Sequence, residues 1–574
     1  MRTPKLISTL CGIGISLSAF AVPANPEPYP YVQPDGSVIM LVNHGDEFAH
    51  ATTTEDGRLV TFSDDGTAIV GEQPADLAKT LRSQRQKNNR FAQRAKVGNN
   101  SDILQPDNIE GNIHGLIILV NFADLKFKNT QEYVQRQMNE EGFSENGATG
   151  SARDYFMRQS SGKYTPTFDV IGPVDLDQDM SYYGRDLGIY GSGNDAHPDE
   201  MVFVAVDNAV KEGLLENLDA YDRDNDGMVD MVYVIFAGQG QADGGSAYTI
   251  WPHMYSIEYS YRFRNAEIAG KRLGTYACSA EYRRGNVFSG IGTFCHEYGH
   301  CLGLPDMYDV DYSGGYGMAN YSIMGSGSYN NNGNTPPNYN SFERYSLGWL
   351  NYEELTTPQS VSLGEIGATN KAYILKTNDP NEFFSIENRQ YVDWDRYLPS
   401  RGLMILHIDY DKEAWDENSV NDDRSHQRVV IVPADNTLST ANASLTGDLY
   451  PGTTGNTSFT DTSKPAAKTW NGDLLGKPVT NIAVDFDTEL ATFDFDKEED
   501  HGAVSLIESN GVKASVSGAI LTVTLPEAGK IEVYATSGIQ VGAIDGMTGA
   551  NTLQLPGKGL YIVKAGTTTL KVIR

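Results

Sequence analysis

One short pattern, His-Glu-x-x-His-x-x-Gly-x-x-Asp, constrains the fold of this chain more than any other feature. On a helix, His296 and His300 lie one turn apart on the same face, so both imidazoles can reach one zinc ion. Gly303 can adopt the left-handed backbone that ends the helix, which allows Asp306 to turn back as a third ligand. Glu297 lies beside this set, where its carboxylate can take a proton from water at the metal.

The pattern predicts a catalytic metal site, because three protein ligands leave one position of a tetrahedral zinc ion open. With only 10 histidines among 574 residues, a chance match is expected in roughly one chain of a hundred. The alternative is an amphipathic helix whose histidines belong to the core or the surface. The glycine and the aspartate at the correct offsets favour the metal site.

Charge and hydropathy limit the partners of the chain. The formal net charge of -31 argues against nucleic acid or an anionic membrane surface. Arg2 and Lys5 precede an apolar run that ends in Ala19-Phe20-Ala21, which predicts a secretory signal at 1–21. A membrane anchor is the alternative, but the run is short and Pro23 follows it. We therefore expect a secreted or cell-surface protein with no integral membrane segment after signal removal.

Residues 22–105 have the features of a propeptide. Short strands and Asp-Gly turns are followed by a basic run, residues 79–96, which is typical of a boundary that a protease can reach. This segment contains no cysteine that could bind and silence the zinc. An acidic residue such as Asp46 or Glu47 is the candidate for that role.

Residues 108–350 alternate strands and helices, as expected of an α/β domain. We predict strands at 114–122 and 231–237 and helices at 151–158, 198–212 and 344–350, with the metal-binding helix beginning near Ser289. Asp222, Asp224, Asp226 and Asp230 resemble a calcium loop, in which Gly227 allows a tight turn. Position twelve of that loop is Tyr233 rather than glutamate, and a simple polar turn is the alternative.

Three cysteines remain after the signal: Cys278, Cys295 and Cys301. An odd number in an exported protein leaves at least one free thiol or one intermolecular bridge. Cys278 could pair with either of the others, and the sequence does not decide between these possibilities.

The rest of the chain is β-rich. Residues 351–498 contain strand-like runs and form a predicted accessory domain. The charged linker 497–500 precedes a predicted β-sandwich at 501–574. This last domain resembles the C-terminal sorting domain of type IX secretion substrates, and a generic binding sandwich is the alternative.

Several stretches together resemble the immune inhibitor A-type secreted metallopeptidases of the metzincin group. The matching stretches are 114–120 (His-Gly-Leu-Ile-Ile-Leu-Val), 151–156, 222–230, 250–253 (Ile-Trp-Pro-His), the zinc pattern through Asp309, and 347–349 (Leu-Gly-Trp). Met324 follows the zinc pattern at a position suited to the methionine turn of metzincins. Most metzincins place a third histidine where this chain has Asp306.

The resemblance implies a multidomain chain, in which a metzincin-like α/β zinc peptidase domain precedes β-rich sandwich domains. It implies His296, His300 and Asp306 as zinc ligands and Glu297 as the general base. The expected activity is that of a zinc endopeptidase made as a zymogen, with protein or peptide substrates. Bound calcium is a further expectation, and the outer-membrane secretion machinery is the expected partner. Tyr329 is expected to help stabilise the oxyanion. The alternative is an inactive calcium-binding surface adhesin.

Overall fold

The computed structural model describes residues 22–63, 66–88, 109–187, 195–439, 442–497, 507–557 and 559–574. The predicted signal peptide and residues 89–105 of the predicted propeptide lie outside these ranges. The chain divides into two compact units. The first comprises Met1–Thr356, Ser362–Gly476 and Ile482–Thr492, and the second comprises Thr357–Val361, Lys477–Asn481 and Phe493–Arg574.

An antiparallel sheet of five strands in sequence order begins the first unit, and one helix follows it. Alternating side chains of these strands build a small apolar core that includes Tyr29, Leu41 and Val60. We call this sheet and helix the N-terminal module. Its elements are β1 (Tyr29–Val32), β2 (Val38–Gly45), β3 (His50–Thr54), β4 (Leu59–Phe62), β5 (Ala68–Val70) and α1 (Leu77–Asn88).

A mixed six-stranded sheet forms the centre of the first unit. Its order is β11-β10-β8-β6-β7, with β9 paired to β10; the pairs among β6, β7, β8 and β10 are parallel, and β9 and β11 are antiparallel to β10. The strands are β6 (His114–Asn121), β7 (Thr167–Asp175), β8 (Met228–Gln239), β9 (His253–Ser256), β10 (Arg272–Arg283) and β11 (Val287–Phe288).

Both faces of this sheet are covered, which explains the continuous apolar run in β6. Ile117 and Leu119 pack into one core with the helix that carries His296 and His300. Leu116, Ile118 and Val120 face the other way and pack into a second core with the helix Pro198–Lys211. The helices of this region are α2 (Gln131–Asn139), α3 (Ala152–Gln159), α4 (Met180–Gly184), α5 (Pro198–Lys211), α6 (Gly292–Cys301) and α7 (Ser341–Ser346).

Helix α7 begins earlier than the sequence predicted. We predicted a helix from Arg344 to Leu350, but the structure has it at Ser341–Ser346. The side chain of Asn340 accepts hydrogen bonds from the backbone N–H groups of Phe342 and Glu343, and Glu343 accepts one from Asn340 in return. This capping box fixes the start of the helix three residues upstream of the prediction.

The region after the central sheet contains two further sheets, with the orders β12-β14-β15-β16-β17 and β13-β19-β18. Their strands are β12 (Glu353–Glu354), β13 (Gln359–Leu363), β14 (Tyr373–Lys376), β15 (Glu382–Arg389), β16 (Gly402–Asp409), β17 (Val429–Ile431), β18 (Val479–Asp485) and β19 (Leu490–Phe495). Three short helices accompany them: α8 (Ile366–Thr369), α9 (Lys412–Asp416) and α10 (Asn442–Leu445).

The last residues form two four-stranded sheets around one apolar core. The orders are β20-β21-β22-β25 and β24-β23-β26-β27. The strands are β20 (Ile507–Ser509), β21 (Val512–Ser517), β22 (Ile520–Leu525), β23 (Gly529–Ala535), β24 (Gln540–Gly546), β25 (Gly549–Gln554), β26 (Leu560–Ala565) and β27 (Thr568–Ile573). Among all described residues, no helix has the length and apolar character needed to cross a membrane.

Candidate metal centre

Helix α6 carries both histidines and is buried almost along its whole length. Phe294 and Tyr298 pack into the core beneath it, and the Tyr298 hydroxyl lies 2.6 Å from the Tyr164 hydroxyl. This packing directs His296 and His300 to the same place, with their Nε2 atoms 3.1 Å apart. The predicted one-turn spacing therefore brings the two imidazoles together.

Each histidine is held by a backbone carbonyl at its other ring nitrogen. The Nδ1 atom of His296 lies 2.6 Å from the Ile323 carbonyl oxygen, and that of His300 lies 2.7 Å from the Leu304 carbonyl oxygen. A carbonyl can only accept, so each Nδ1 must carry the proton. Both Nε2 atoms are then left with lone pairs directed to a common point.

Asp306 completes the cluster after the turn at Gly303, where φ is 107°. Its Oδ1 atom lies 3.2 Å from Nε2 of His296 and 3.4 Å from Nε2 of His300. Asp306 is only 1% exposed, so its side chain is buried together with the two rings. The third residue of the predicted set is therefore a buried carboxylate that lies against both rings.

Asn418 orients Asp306 and was not predicted. Its Nδ2 donates to Asp306 Oδ2 at 2.7 Å, and its Oδ1 accepts from the Asp306 backbone N–H at 2.7 Å. This pairing occupies Oδ2 and leaves Oδ1 for the cluster. Asn418 lies 112 positions beyond Asp306, so no local spacing in the sequence could have identified it.

The donor set fits a zinc ion. Two Nε2 lone pairs and one carboxylate oxygen converge within 3.4 Å of each other in a buried place, where only a cation can relieve their mutual repulsion. Ligands bound to a tetrahedral zinc ion lie about 3.3 Å apart, given bond lengths of about 2.0–2.2 Å. His296, His300 and Asp306 are also one of three groups of potential metal ligands among the described residues.

Glu297 lies beside this cluster and is fully buried. Burial, followed by the charges of Asp306 and Glu47, raises its pKa well above the ordinary value for a glutamate. Its Oε1 accepts a hydrogen bond of 2.8 Å from the backbone nitrogen of Val22. Within the described part of the chain, no donor reaches its Oε2. This carboxylate can exchange a proton with a group bound next to the metal.

Met324 lies under helix α6 and is fully buried. A Cβ atom added to Gly299 would come within 2.9 Å of the Met324 sulfur. The backbone N–H of Met324 donates to Ser322 Oγ at 2.9 Å, and its carbonyl accepts from Met307 N–H at 2.7 Å. The methionine therefore packs against helix α6, which carries His296 and His300, and its role in a methionine turn stays a prediction.

The predicted calcium loop forms a group of three carboxylates, Asp222, Asp224 and Asp226, close enough to share an ion. Lys271 already supplies a positive charge there, because its Nζ lies 2.5 Å from Asp222 Oδ2. Asp230 accepts a hydrogen bond of 2.9 Å from the Arg223 backbone N–H. Its carboxylate is not part of the group formed by Asp222, Asp224 and Asp226.

Tyr329 and the three cysteines are the remaining residues named from the sequence. The hydroxyl of Tyr329, the residue suggested for the oxyanion, donates to the Pro23 carbonyl at 2.6 Å. Cys278, Cys295 and Cys301 are all free thiols, so neither of the pairings that the sequence left open for Cys278 is formed. Cys278 lies on β10 and packs into the second core, whereas Cys295 lies on α6 and packs into the first.

Comparison with known proteins gives one family and two relatives. Residues 112–351 match the family described as immune inhibitor A peptidase M6, catalytic domain. The pre-pro-metalloprotease PrtV of Vibrio cholerae serotype O1 (strain ATCC 39315 / El Tor Inaba N16961) is 28% identical over 286 residues, which cover 42% of this chain and 31% of PrtV. Immune inhibitor A of Bacillus thuringiensis subsp. alesti is 28% identical over 285 residues, which cover 42% of this chain and 41% of that protein. The similarity thus spans less than half of either relative, and residues 112–351 of this chain are similar to the peptidase M6 catalytic domain.

Proposed function

We propose that this chain is a secreted zinc-dependent endopeptidase, made as a zymogen, that hydrolyses peptide bonds of extracellular proteins. The observation that carries the proposal is the buried Glu297, whose Oε2 lacks a donor among the described residues, beside a three-ligand donor set. The M6 domain match and the metalloprotease name of the Vibrio relative support the same assignment.

His296, His300 and Asp306 would hold the zinc ion. The metal would supply a Lewis acid that polarises the scissile carbonyl and lowers the pKa of water. Glu297 takes the proton from the attacking water and passes it to the leaving nitrogen of the substrate. The Val22 nitrogen lies 2.8 Å from Glu297 Oε1, and cleavage of the predicted signal 1–21 would make it the α-amino group of the exported chain.

Contacts of Val22 and of the N-terminal module support latency. Val22 is buried against Glu297 and would obstruct a substrate. Glu47 is buried close to Asp306: burial, followed by Asp46, raises its pKa well above the ordinary value, and Asp306 adds to that rise. Asp46 pairs with Arg85 of α1, so Glu47 is the better of the two acidic candidates for silencing the metal. Removal of the module would expose Glu297.

We further propose that export uses the predicted signal and the C-terminal sandwich. Cleavage of the 1–21 signal would release the chain from the inner membrane, and the C-terminal sandwich would be read by the type IX machinery of the outer membrane. The two-sheet core of residues 507–574 is compatible with such a sorting domain. Deletion of 501–574 should abolish appearance of the protein in the culture medium, and normal export of the truncated chain would refute this part.

Casein hydrolysis by the activated protein tests the proposed activity. We expect a zinc chelator to block hydrolysis and added zinc to restore it. Glu297→Gln should lower the rate by about a hundredfold or more while the bound zinc is retained. Glu258→Gln is the matched control, because Glu258 is an exposed glutamate to which we assign no catalytic role.

Two results would contradict the proposal. Glu297→Gln could hydrolyse casein at the wild-type rate, which would remove the general base. Alternatively, wild-type protein with bound zinc could cleave no protein or peptide after activation, which would favour the inactive adhesin.

A further inference from the structure

His50 of the N-terminal module fills a pocket on the surface of the M6 domain. Its ring stacks on Trp251, with ring centroids 5.0 Å apart and 25° between the planes. Its Nε2 lies 3.0 Å from Asp186 Oδ2 and 2.9 Å from Gln241 Nε2. A side chain from one part of the chain is thus held between an aromatic face and a carboxylate in another, as a ligand would be.

The pocket is acidic and secluded. The Asp186 side chain is only 2% exposed, and that of Asp195, the backbone bridge partner of Asp186, is 4% exposed. Asp195 Oδ2 accepts from the Trp251 backbone N–H at 3.0 Å. Burial, followed by the charge of Asp186, raises the pKa of Asp195 well above its ordinary value. We call Asp186, Asp195, Gln241 and Trp251 the acidic pocket.

His50 leaves this pocket incompletely satisfied. In the residues that the structure covers, neither Asp195 Oδ1 nor Gln241 Oε1 has a hydrogen-bond donor, although both atoms are buried. An imidazole presents one N–H at Nε2, whereas an ammonium has three donors and a guanidinium has five. A lysine or arginine side chain could therefore serve acceptors that His50 does not reach.

The pocket adjoins the general base. Trp251 Nε1 donates to the Val22 carbonyl at 3.0 Å, and the Val22 nitrogen donates to Glu297 at 2.8 Å. A single residue thus connects the aromatic wall of the pocket to the reacting carboxylate. A substrate side chain held in the pocket would therefore lie close to the bond that Glu297 acts on.

We propose that the acidic pocket is a substrate subsite for a basic side chain, occupied by His50 in the latent chain and by lysine or arginine of a substrate in the active one. This inference rests on the proposed peptidase function. A planar cation between the Trp251 face and the Asp186 carboxylate gains both cation–π and charge-assisted hydrogen-bond energy. An acidic side chain would meet the buried Asp186 carboxylate and be excluded.

A binding test on the full chain needs no hydrolysis. His50→Gly opens the space of the imidazole, and guanidinium and its neutral isostere urea are added at equal, non-denaturing concentrations. We expect guanidinium to raise the Tm of His50→Gly by about 2 °C or more relative to urea. The difference should disappear in wild type and in His50→Gly/Asp186→Asn. Equal effects of the two probes on His50→Gly, or a difference that survives Asp186→Asn, would overturn the proposal.

Substitution of His50 itself gives a second measurement. His50→Arg should keep or raise the Tm of the full chain, whereas His50→Leu, which retains bulk against Trp251 but no N–H, should lower it. An arginine that destabilises the chain as much as leucine would count against the pocket.

A cleavage profile separates this proposal from the proposed function. Activated wild type should cut a peptide mixture with lysine or arginine enriched at one fixed position, and Asp186→Asn should reduce that enrichment at least tenfold. Asp175→Asn, at an exposed carboxylate paired with Lys126, should leave it unchanged. Hydrolysis without enrichment of lysine or arginine would refute the proposed subsite and leave the proposed peptidase function intact. Guanidinium binding without any hydrolysis overturns the peptidase assignment and leaves the acidic pocket supported.

Discussion

Single hydrogen bonds decide which ring nitrogen each histidine presents to the metal. The carbonyl that holds His300 belongs to Leu304, inside the predicted pattern, but the one that holds His296 belongs to Ile323, 27 positions away. The sequence pattern identifies which residues can bind zinc. It does not predict their tautomers, because these depend on carbonyls that the fold brings into contact.

Asp448 gives a prediction at the residue scale that concerns stability. Burial, followed by the charge of Asp435, raises the pKa of Asp448 from 3.8 to about 8. The folded chain therefore holds this proton more tightly than the unfolded chain does. The contribution of Asp448 to the free energy of unfolding is greatest below about pH 4 and is lost as the pH rises to about 8.

Asp448→Asn cannot titrate and should remove this dependence. We expect its Tm to exceed that of wild type at pH 8, with the difference shrinking towards pH 4. Thermal unfolding followed by circular dichroism at several pH values measures this, and the exposed Asp473→Asn is the control. A variant less stable than wild type at pH 8 would show that Asp448 is ionised without penalty.

At the scale of elements, the interior of helix α6 contains Gly299, although glycine disfavours the helical conformation. Alanine normally stabilises a helix interior by about 1 kcal/mol relative to glycine. At Gly299, however, the added Cβ would lie 2.8 Å from the Tyr339 hydroxyl oxygen and 2.9 Å from the Met324 sulfur. The close approach of the methionine turn therefore requires a glycine here.

Gly299→Ala should lower the free energy of unfolding by about 1–3 kcal/mol and weaken zinc binding, because it separates α6 from Met324. Denaturant unfolding and competition with a chelator measure the two effects. Adding Tyr339→Phe removes one of the two obstructing atoms, a hydroxyl without a partner among the described residues, and should restore part of both. Stabilisation by Gly299→Ala alone would contradict the packing described.

The elements with strong periodicity were predictable, and their exact ends were less so. The apolar run at 114–122 and the Ser151 cap predicted β6 and α3 closely, since burial and capping are local properties. Helix α7 was misplaced because the Asn340–Glu343 capping box was overlooked. The sequence could not decide whether Cys278 pairs with Cys295, because their location in different cores is a tertiary property.

At the scale of the whole molecule, a residue outside the M6 match completes the candidate metal centre. Asn418 follows α9 and lies beyond residue 351, yet it makes two hydrogen bonds to Asp306. Trp415 of α9 likewise donates to the Gly303 carbonyl at 3.2 Å. The sequence predicted the residues within one local pattern, but no spacing rule connects that pattern to Asn418.

Asn418→Gly should lower zinc affinity by about 10- to 100-fold, because Asp306 loses the partner that fixes its orientation. Glycine suits the positive φ of 52° at this position, so the backbone stays unstrained. Asn436→Gly, at an exposed asparagine with φ of 59°, is the matched control. Equal zinc affinity in both variants would show that Asp306 holds its position without Asn418.

Zinc content of the purified full chain, measured by atomic emission after dialysis, is the decisive test of zinc binding by His296, His300 and Asp306. We expect one zinc ion per chain in wild type and its loss in Asp306→Ala and in His300→Ala. Asp224→Ala, in the separate carboxylate group, should retain it. Wild-type protein that binds no zinc, or Asp306→Ala and His300→Ala variants that both keep it, would contradict the account.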